Sequence, residues 1–353
     1  MTLRYLVLLL SFAIACLHPR AAIAKPINEE SFVRIGGIEQ WITIKGSDSA
    51  NPVLLVLHGG PGDPFSPYAD SLFAGWDKDF TVVQWDQRGA GRTYGKTGPA
   101  IEPTMTIERM SQDGIEVAEY LRRHLGKRKV ILMGASWGSI LGIMMAHARP
   151  DLFYAYVGMA QLVDWWQNLS AAYVRVLQMA EDANDRDTVQ ALKSIGPPPW
   201  KTFYPQWAIY QRAAQAYQAK FATVPPAPLP ISHAYASASE RKQYSEALNF
   251  TQFHFFTGRV PKTKADFATL PLGPITSIDL PALGTHFKIP IYIVQGEADL
   301  LAVPELAKAF LESIKAPRKG FYLVPGAGHK PNTPTMALTR KVLLEQVKPI
   351  AKY

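Results

Sequence analysis

Six short, mostly apolar runs punctuate this chain, at residues 52–57, 81–85, 129–134, 154–159, 289–294 and 321–324. The first two, uninterrupted, suit strands covered on both faces, as in a parallel sheet, rather than half-exposed strands, which alternate. Two earlier runs, 31–35 and 39–45, do alternate around Gly36-Gly37, and they predict an antiparallel edge hairpin. Between the apolar runs the period changes. Residues 106–125 carry Ile107, Met110, Ile115, Ala118, Leu121 and Leu125 at helical spacing and stop at Gly126. Further helices are predicted over 139–147, 304–314 and 334–347. Strands alternating with helices predict a doubly wound α/β sheet, mostly parallel and eight-stranded.

The alternation fails from 161 to 285, where aromatic and helix-forming residues are broken by Gly196-Pro197-Pro198-Pro199 and by the proline-rich stretch 224–230. One core, 25–160 and 286–353, interrupted by a mainly helical cap at 161–285, is the economical organisation. No internal repeat is evident.

The N-terminus stands apart. Arg4 precedes an apolar stretch over 5–17, and Ala22-Ile23-Ala24 follows, the pattern of an export signal cleaved after residue 24. The protein is therefore expected to be periplasmic or secreted. Ala13-Ile14-Ala15-Cys16 offers a lipoprotein alternative through Cys16. Cys16 is the single cysteine, so a mature chain beginning at residue 25 has no thiol for disulfides, zinc sites or cysteine catalysis. No later apolar run approaches the ~20 residues of a membrane span. The net charge of +8 falls to +6 without Arg4 and Arg20, and no basic run or nucleic-acid motif accompanies it. No metal-ligand cluster or dinucleotide fingerprint appears, so neither metal nor cofactor is expected.

Gly134-Ala135-Ser136-Trp137-Gly138 matches the Gly-x-Ser-x-Gly elbow and falls between a predicted strand and a predicted helix, the context that such a turn requires. Ser136 is the candidate nucleophile. A serine hydroxyl needs a base within hydrogen-bond reach, and His329 follows the last strand in the glycine-rich loop Gly326-Ala327-Gly328. A carboxylate must orient that base. Asp299, after the preceding strand, gives the chain order Ser, Asp, His of the α/β-hydrolase fold, with Glu297 and Asp164 as alternatives. The backbone N–H groups of Trp137 and Gly60 are the candidate oxyanion donors. A dehalogenase or epoxide hydrolase of this fold would need a carboxylate at the elbow, where Ser136 stands.

Residues 58–62 (His-Gly-Gly-Pro-Gly), 85–92 (Trp-Asp-Gln-Arg-Gly-Ala-Gly-Arg) and 134–139 (Gly-Ala-Ser-Trp-Gly-Ser) together resemble the proline iminopeptidase family. The likeness extends over about residues 38–160 and 287–331. It implies a serine exopeptidase that releases an N-terminal residue, preferably proline, from a short peptide under a cap. Family members carry cap glutamates that pair with the substrate ammonium. Here the candidate stretches, 205–208 (Pro-Gln-Trp-Ala) and 248–256 (Leu-Asn-Phe-Thr-Gln-Phe-His-Phe-Phe), lack the acid. Asp164, Glu240 and Glu246 are the candidate substitutes. An esterase, lactonase or amidase acting on an apolar small molecule is the alternative, with Trp165, Trp166, Trp200, Tyr204 and Trp207 either lining the site or forming the cap's core. A non-catalytic binding protein of the same fold is a third reading, disfavoured by the intact Ser136, Asp299 and His329.

Overall fold

A computed structural model describes residues 25–200, 203–261, 263, 266 and 270–351. The expected export segment, with Arg4, Cys16 and Ala22-Ile23-Ala24, lies outside the described residues.

Eight strands form one sheet: β1 (Ile27–Ile35), β2 (Ile38–Gly46), β3 (Val53–Leu57), β4 (Thr81–Trp85), β5 (Val130–Ala135), β6 (Phe153–Met159), β7 (Ile291–Gly296) and β8 (Lys319–Val324). Their spatial order is β1-β2-β4-β3-β5-β6-β7-β8. The first two strands pair antiparallel, β2 meets β4 antiparallel, and every other pairing is parallel. Every residue of β3, β4, β5 and β7 is buried, the physical counterpart of their uninterrupted apolar runs. Within β3 the side chains divide with period two: Val53, Leu55 and Leu57 enter one core layer, Leu54 and Val56 the other. At the edge, β1 is largely exposed and begins four residues earlier than the alternation predicts, because its polar start pairs along the full length of β2.

Helices cover both faces. In chain order they are α1 (Ala69–Leu72), α2 (Gly91–Thr97), α3 (Ile107–His124), α4 (Trp137–Ala148), α5 (Trp165–Asp182), α6 (Arg186–Ile195), α7 (Phe203–Phe221), α8 (Ala238–Thr257), α9 (Pro304–Ser313) and α10 (Thr333–Val342). The Thr106 hydroxyl caps α3 by accepting from the Arg109 N–H, and Arg122, Arg123 and His124 occupy its last turn, where the helix dipole favours positive charge. The final helix departs from expectation: α10 stops at Val342 and residues 343–347 widen into a π turn before Pro349, which has no N–H to continue a helical ladder.

One buried ion pair fixes the antiparallel hairpin to the sheet. The Arg88 Nε donates to Asp113 Oδ2 at 2.8 Å, and both side chains are almost fully buried. Arg88 also donates to the Gly36 carbonyl in the hairpin turn, and Gln40 of β2 donates to the same carboxylate at 2.9 Å.

Between β6 and β7 the chain leaves the sheet and forms α5 to α8 over its C-terminal edge. Asp164, Asp185 and Ser237 cap α5, α6 and α8 through their side chains. Hydrogen bonds then tie these helices down. Thr251 of α8 donates to the Gly89 carbonyl, and the Nε2 of His254 donates to the Met105 carbonyl. Tyr244 donates to the buried Asp86, while Arg92 pairs with Glu240 at 3.0 Å.

Candidate active site

The elbow is built where β5 turns into α4. Ser136 has φ 50° and ψ −118°, a conformation that an L-residue adopts only when its surroundings enforce it. The flanking glycines permit the sharp turn. A Cβ on Gly134 would lie 2.4 Å from the Gly138 carbonyl oxygen, and one on Gly138 would lie 2.2 Å from that of Leu57. The Ser136 N–H donates to the Met159 carbonyl at 2.9 Å, which anchors the turn to the end of β6.

Three side chains converge above this turn. Ser136 Oγ lies 2.9 Å from His329 Nε2, and His329 Nδ1 lies 3.0 and 2.9 Å from the two Asp299 oxygens. A carboxylate facing Nδ1 fixes the proton there and leaves Nε2 free to accept from the serine hydroxyl. Asp299 is fully buried, yet its Oδ1 accepts the Leu301 and Ala302 N–H groups, each at 2.8 Å, and its Oδ2 accepts from the Gln295 amide at 3.2 Å. These donors compensate the burial of the negative charge. Of the two alternatives to Asp299, Glu297 accepts the Gly326 N–H at 3.0 Å and so braces the histidine loop from outside, whereas Asp164 is occupied as the α5 cap.

The candidate oxyanion donors face the same space. Trp137 opens α4, so its N–H belongs to the first helical turn, whose amides have no partner within the helix. Gly60 lines the cavity beside Ser136, in the loop after β3. A buried relay that sequence reasoning missed joins the two segments. His58 Nδ1 donates to the Gly59 carbonyl at 2.9 Å and its Nε2 accepts the Gln87 N–H at 3.2 Å. Gln87 in turn donates to the His58 carbonyl and accepts the Trp137 indole N–H at 3.1 Å. Burial lowers the His58 pKa to about 4, which keeps the ring neutral and able to accept. The available signal was Gln87 itself, a polar residue two positions after a buried strand.

A cavity of about 430 Å³ opens over Ser136. Trp165, Trp207, Phe253 and Phe256 of the cap line it, together with the amides of Gln211, Asn249 and Gln252. Thus Trp165 and Trp207 line the site, while Trp200 is buried and packs on Tyr210, 6.0 Å between ring centroids. Trp166 packs partly buried against the hydrophobic core, and the Tyr204 side chain lies outside the described residues.

The expected amine-binding acids need correction. Asp164 is occupied as a helix cap, Glu240 is paired with Arg92, and Glu246 lies on the exposed side of α8 near Lys242, 3.7 Å away. None of the three lines the cavity. Helical spacing turns Glu240 to the side of α8 opposite Asn249, whereas Glu246 shares the side of Asn249 and Phe253 but stands one turn before them, beyond the cavity and beside Lys242. Asp63 and Lys330 line it instead, both unremarked in the sequence although each adjoins a motif.

An eight-stranded, mostly parallel sheet with a serine elbow at the end of its fifth strand defines an α/β hydrolase. The profile of the alpha/beta hydrolase fold family matches residues 52–332, and the chain belongs to that family. Among its relatives, it is 31% identical over 303 residues to the probable aminopeptidase YbaC of Bacillus subtilis, covering 84% of this chain and 89% of that protein. A probable proline iminopeptidase of Streptomyces coelicolor is 35% identical over 112 residues, 32% of this chain and 33% of the relative. The crystal structure of a proline iminopeptidase from Mycobacterium smegmatis superposes with a TM-score of 0.63 at 21% identity, over 92% of this chain and 99% of that one. An epoxide hydrolase from Vigna radiata superposes at 0.53 and 18% identity, over 91% and 98%. These two superpositions speak for the shared fold.

Proposed function

We propose that this protein is a proline iminopeptidase-like serine hydrolase that removes an N-terminal residue from a short peptide through an acyl-enzyme on Ser136. The observation that carries the reading is the hydrogen-bonded row from Ser136 Oγ through His329 to the buried Asp299. Ser136 Oγ attacks the scissile carbonyl while its proton passes to His329 Nε2, and Asp299 stabilises the imidazolium. The N–H groups of Trp137 and Gly60 receive the oxyanion, each worth about 3–4 kcal/mol. Collapse of the intermediate breaks the C–N bond, and the leaving amine takes the proton from His329. Water, deprotonated by the same histidine, then releases the acyl group. The similarity to YbaC across most of both chains supports an aminopeptidase in particular.

A second reading, hydrolysis of an apolar ester, lactone or amide, is favoured by the aromatic wall of the cavity and by the absence of Asp164, Glu240 and Glu246 from its lining. The experiment that separates the two compares kcat/KM for prolyl and alanyl arylamides with short-chain esters of matched size. Arylamide turnover that exceeds ester turnover supports the peptidase, and ester turnover alone overturns it. Replacement of Ser136 by alanine is expected to reduce kcat by at least ~1000-fold on the preferred substrate, with the fold intact. Near-normal turnover would remove Ser136 from the mechanism. We also propose export, on the strength of residues 1–24. N-terminal sequencing of the mature protein from its producing cell tests it, with residue 25 as the expected start and lipidated Cys16 as the alternative outcome.

A further inference from the structure

The α-amino group of an aminoacyl substrate is separated from the attacked carbonyl carbon by a single atom. A carboxylate that pairs with it must therefore stand beside the nucleophile and the oxyanion loop, not anywhere on the cap. The aromatic wall of Trp165, Trp207, Phe253 and Phe256 attracts a cation only modestly, and a counter-charge beside it offsets the cost of taking the ammonium out of water.

Among the described residues lining the cavity, Asp63 is the one carboxylate. It belongs to the core rather than the cap and follows directly on the Gly59 to Gly62 loop. Its N–H donates to the Gly59 carbonyl at 3.3 Å, and a Cβ placed on Gly60 would stand 3.3 Å from the Asp63 Cβ. The side chain thus rises next to the proposed oxyanion donor. Among the described residues its carboxylate has no hydrogen bond or ion pair, in contrast to Asp86, Asp113 and Asp299, which are each held by several donors. Asp63 is exposed to solvent where it lines the cavity, with protein atoms crowded about its carboxyl. Burial raises its pKa, and Lys330, beside His329 in the same lining, opposes that shift without reaching ion-pair distance. A carboxylate without a protein partner at the wall of this cavity is placed to pair with a cation delivered by the substrate.

We propose that Asp63 receives the α-ammonium of the aminoacyl substrate and so sets the preference for a free N-terminus. The assignment rests on the peptidase reading above. It makes Asp63 a specificity-determining residue of the core, and it leaves the neutral amides Asn249 and Gln252 of the cap to contact the uncharged parts of the substrate.

The test is the ratio of kcat/KM for prolyl or alanyl arylamide to that for its N-acetyl form, measured with an alkyl ester of matched size in parallel. The full-length enzyme, Asp63→Asn and Asp63→Glu are compared, with thermal melting to confirm that each variant folds. In the wild type the free amine is expected to be preferred by over ~100-fold, since acetylation removes the charge. Asp63→Asn should collapse that ratio towards one by raising KM for the free amine, and Asp63→Glu, which keeps the charge, should restore part of it. A preference that survives in Asp63→Asn, or an equal loss in both variants, overturns the role of Asp63 and leaves the peptidase reading standing. A wild type that cleaves the ester and neither arylamide overturns both.

Discussion

The indole N–H of Trp137 donates to the side-chain oxygen of Gln87 at 3.1 Å, and so joins the first residue of α4 to the loop that follows β4. Gln87 also holds His58, so one buried amide sets the spacing between the segments that carry Gly60 and Trp137. Gln87→Leu would leave the indole N–H and the His58 carbonyl without partners. Each buried group stranded in this way costs about 1–3 kcal/mol. Thermal melting should fall accordingly, and kcat should drop about 10-fold or more with KM little changed, because oxyanion donors act on the transition state. A lower melting temperature with unchanged kcat would make the relay structural only.

The three carboxylates weighed as partners of His329 have different surroundings, which makes their neutral variants informative. Asp299→Asn should reduce kcat by about 10⁴-fold, because the amide favours the wrong imidazole tautomer. Glu297→Gln keeps an acceptor for the Gly326 N–H, and Asp164→Asn keeps a helix cap, so each should change kcat by less than about 3-fold. Steady-state kinetics on the three proteins decides between them, and a larger loss at Glu297 or Asp164 would displace Asp299.

Two buried groups near the site make opposite contributions to stability against pH. His58 is held neutral with a pKa lowered to about 4 by burial, so its contribution is intact above its unfolded value of 6.5 and is lost as the pH falls towards 4. Burial raises Asp86 to about 6 against the donors Ser66, Arg92 and Tyr244. Its folded form therefore favours the protonated acid, and stability is lost as the pH rises from 3.8 through 6. Urea unfolding at pH 4.5, 5.5 and 7 should show the advantage of wild type over His58→Gln shrinking with acidification. The advantage over Asp86→Asn should grow over the same range. Parallel curves would remove the two groups from the acid response.

The Arg88–Asp113 pair is buried at both ends, unlike the half-exposed ion pairs of the surface. Asp113→Asn removes the counter-charge of the buried Arg88, and that of Arg109 beside it, and is expected to cost ~3 kcal/mol or more. Glu39→Gln breaks only the solvent-exposed pair with Lys96 and should cost less than ~1 kcal/mol. Chemical denaturation of both variants checks the contrast, and equal effects would mean that water reaches Arg88.

The strands β3 to β7 were legible because burial on both faces leaves an uninterrupted apolar signature, and β1 and β2 because their exposed faces alternate. Residues 91–104 were not: α2 and the 3₁₀ segment after it are rich in glycine and proline and are stabilised by tertiary contacts, among them the Trp41 N–H donating to Thr93. Ser136, Asp299 and His329 each stand next to a strand end, so their positions could be read from local pattern, and the structure brings the three side chains into one hydrogen-bonded row. The cap acids could not be placed in this way. Whether Glu240 or Glu246 reaches the cavity depends on which face α8 turns to the core and on how far along the helix the cavity extends, and both are decided by the packing of Phe250, Thr251 and Phe255 on partners distant in sequence. Asp63 carries no local signal of its role either, because a single acid after a Gly/Pro loop has the pattern of a solvated turn until the cap is folded over it.

Gln218 of α7 donates its amide to the Ala298 carbonyl at 2.6 Å and accepts the Leu300 N–H at 2.8 Å, gripping the main chain on both sides of Asp299. The cap is consequently a structural half of the acid loop as well as a wall of the cavity over Ser136. A chimera that carries the helices of a relative on this core would inherit a different brace on the orienting carboxylate, and would change its turnover together with its selectivity. Specificity and catalytic competence in this chain are in that sense not separable modules, and any recombination of caps and cores must transplant the residue at position 218 with the loop it clasps.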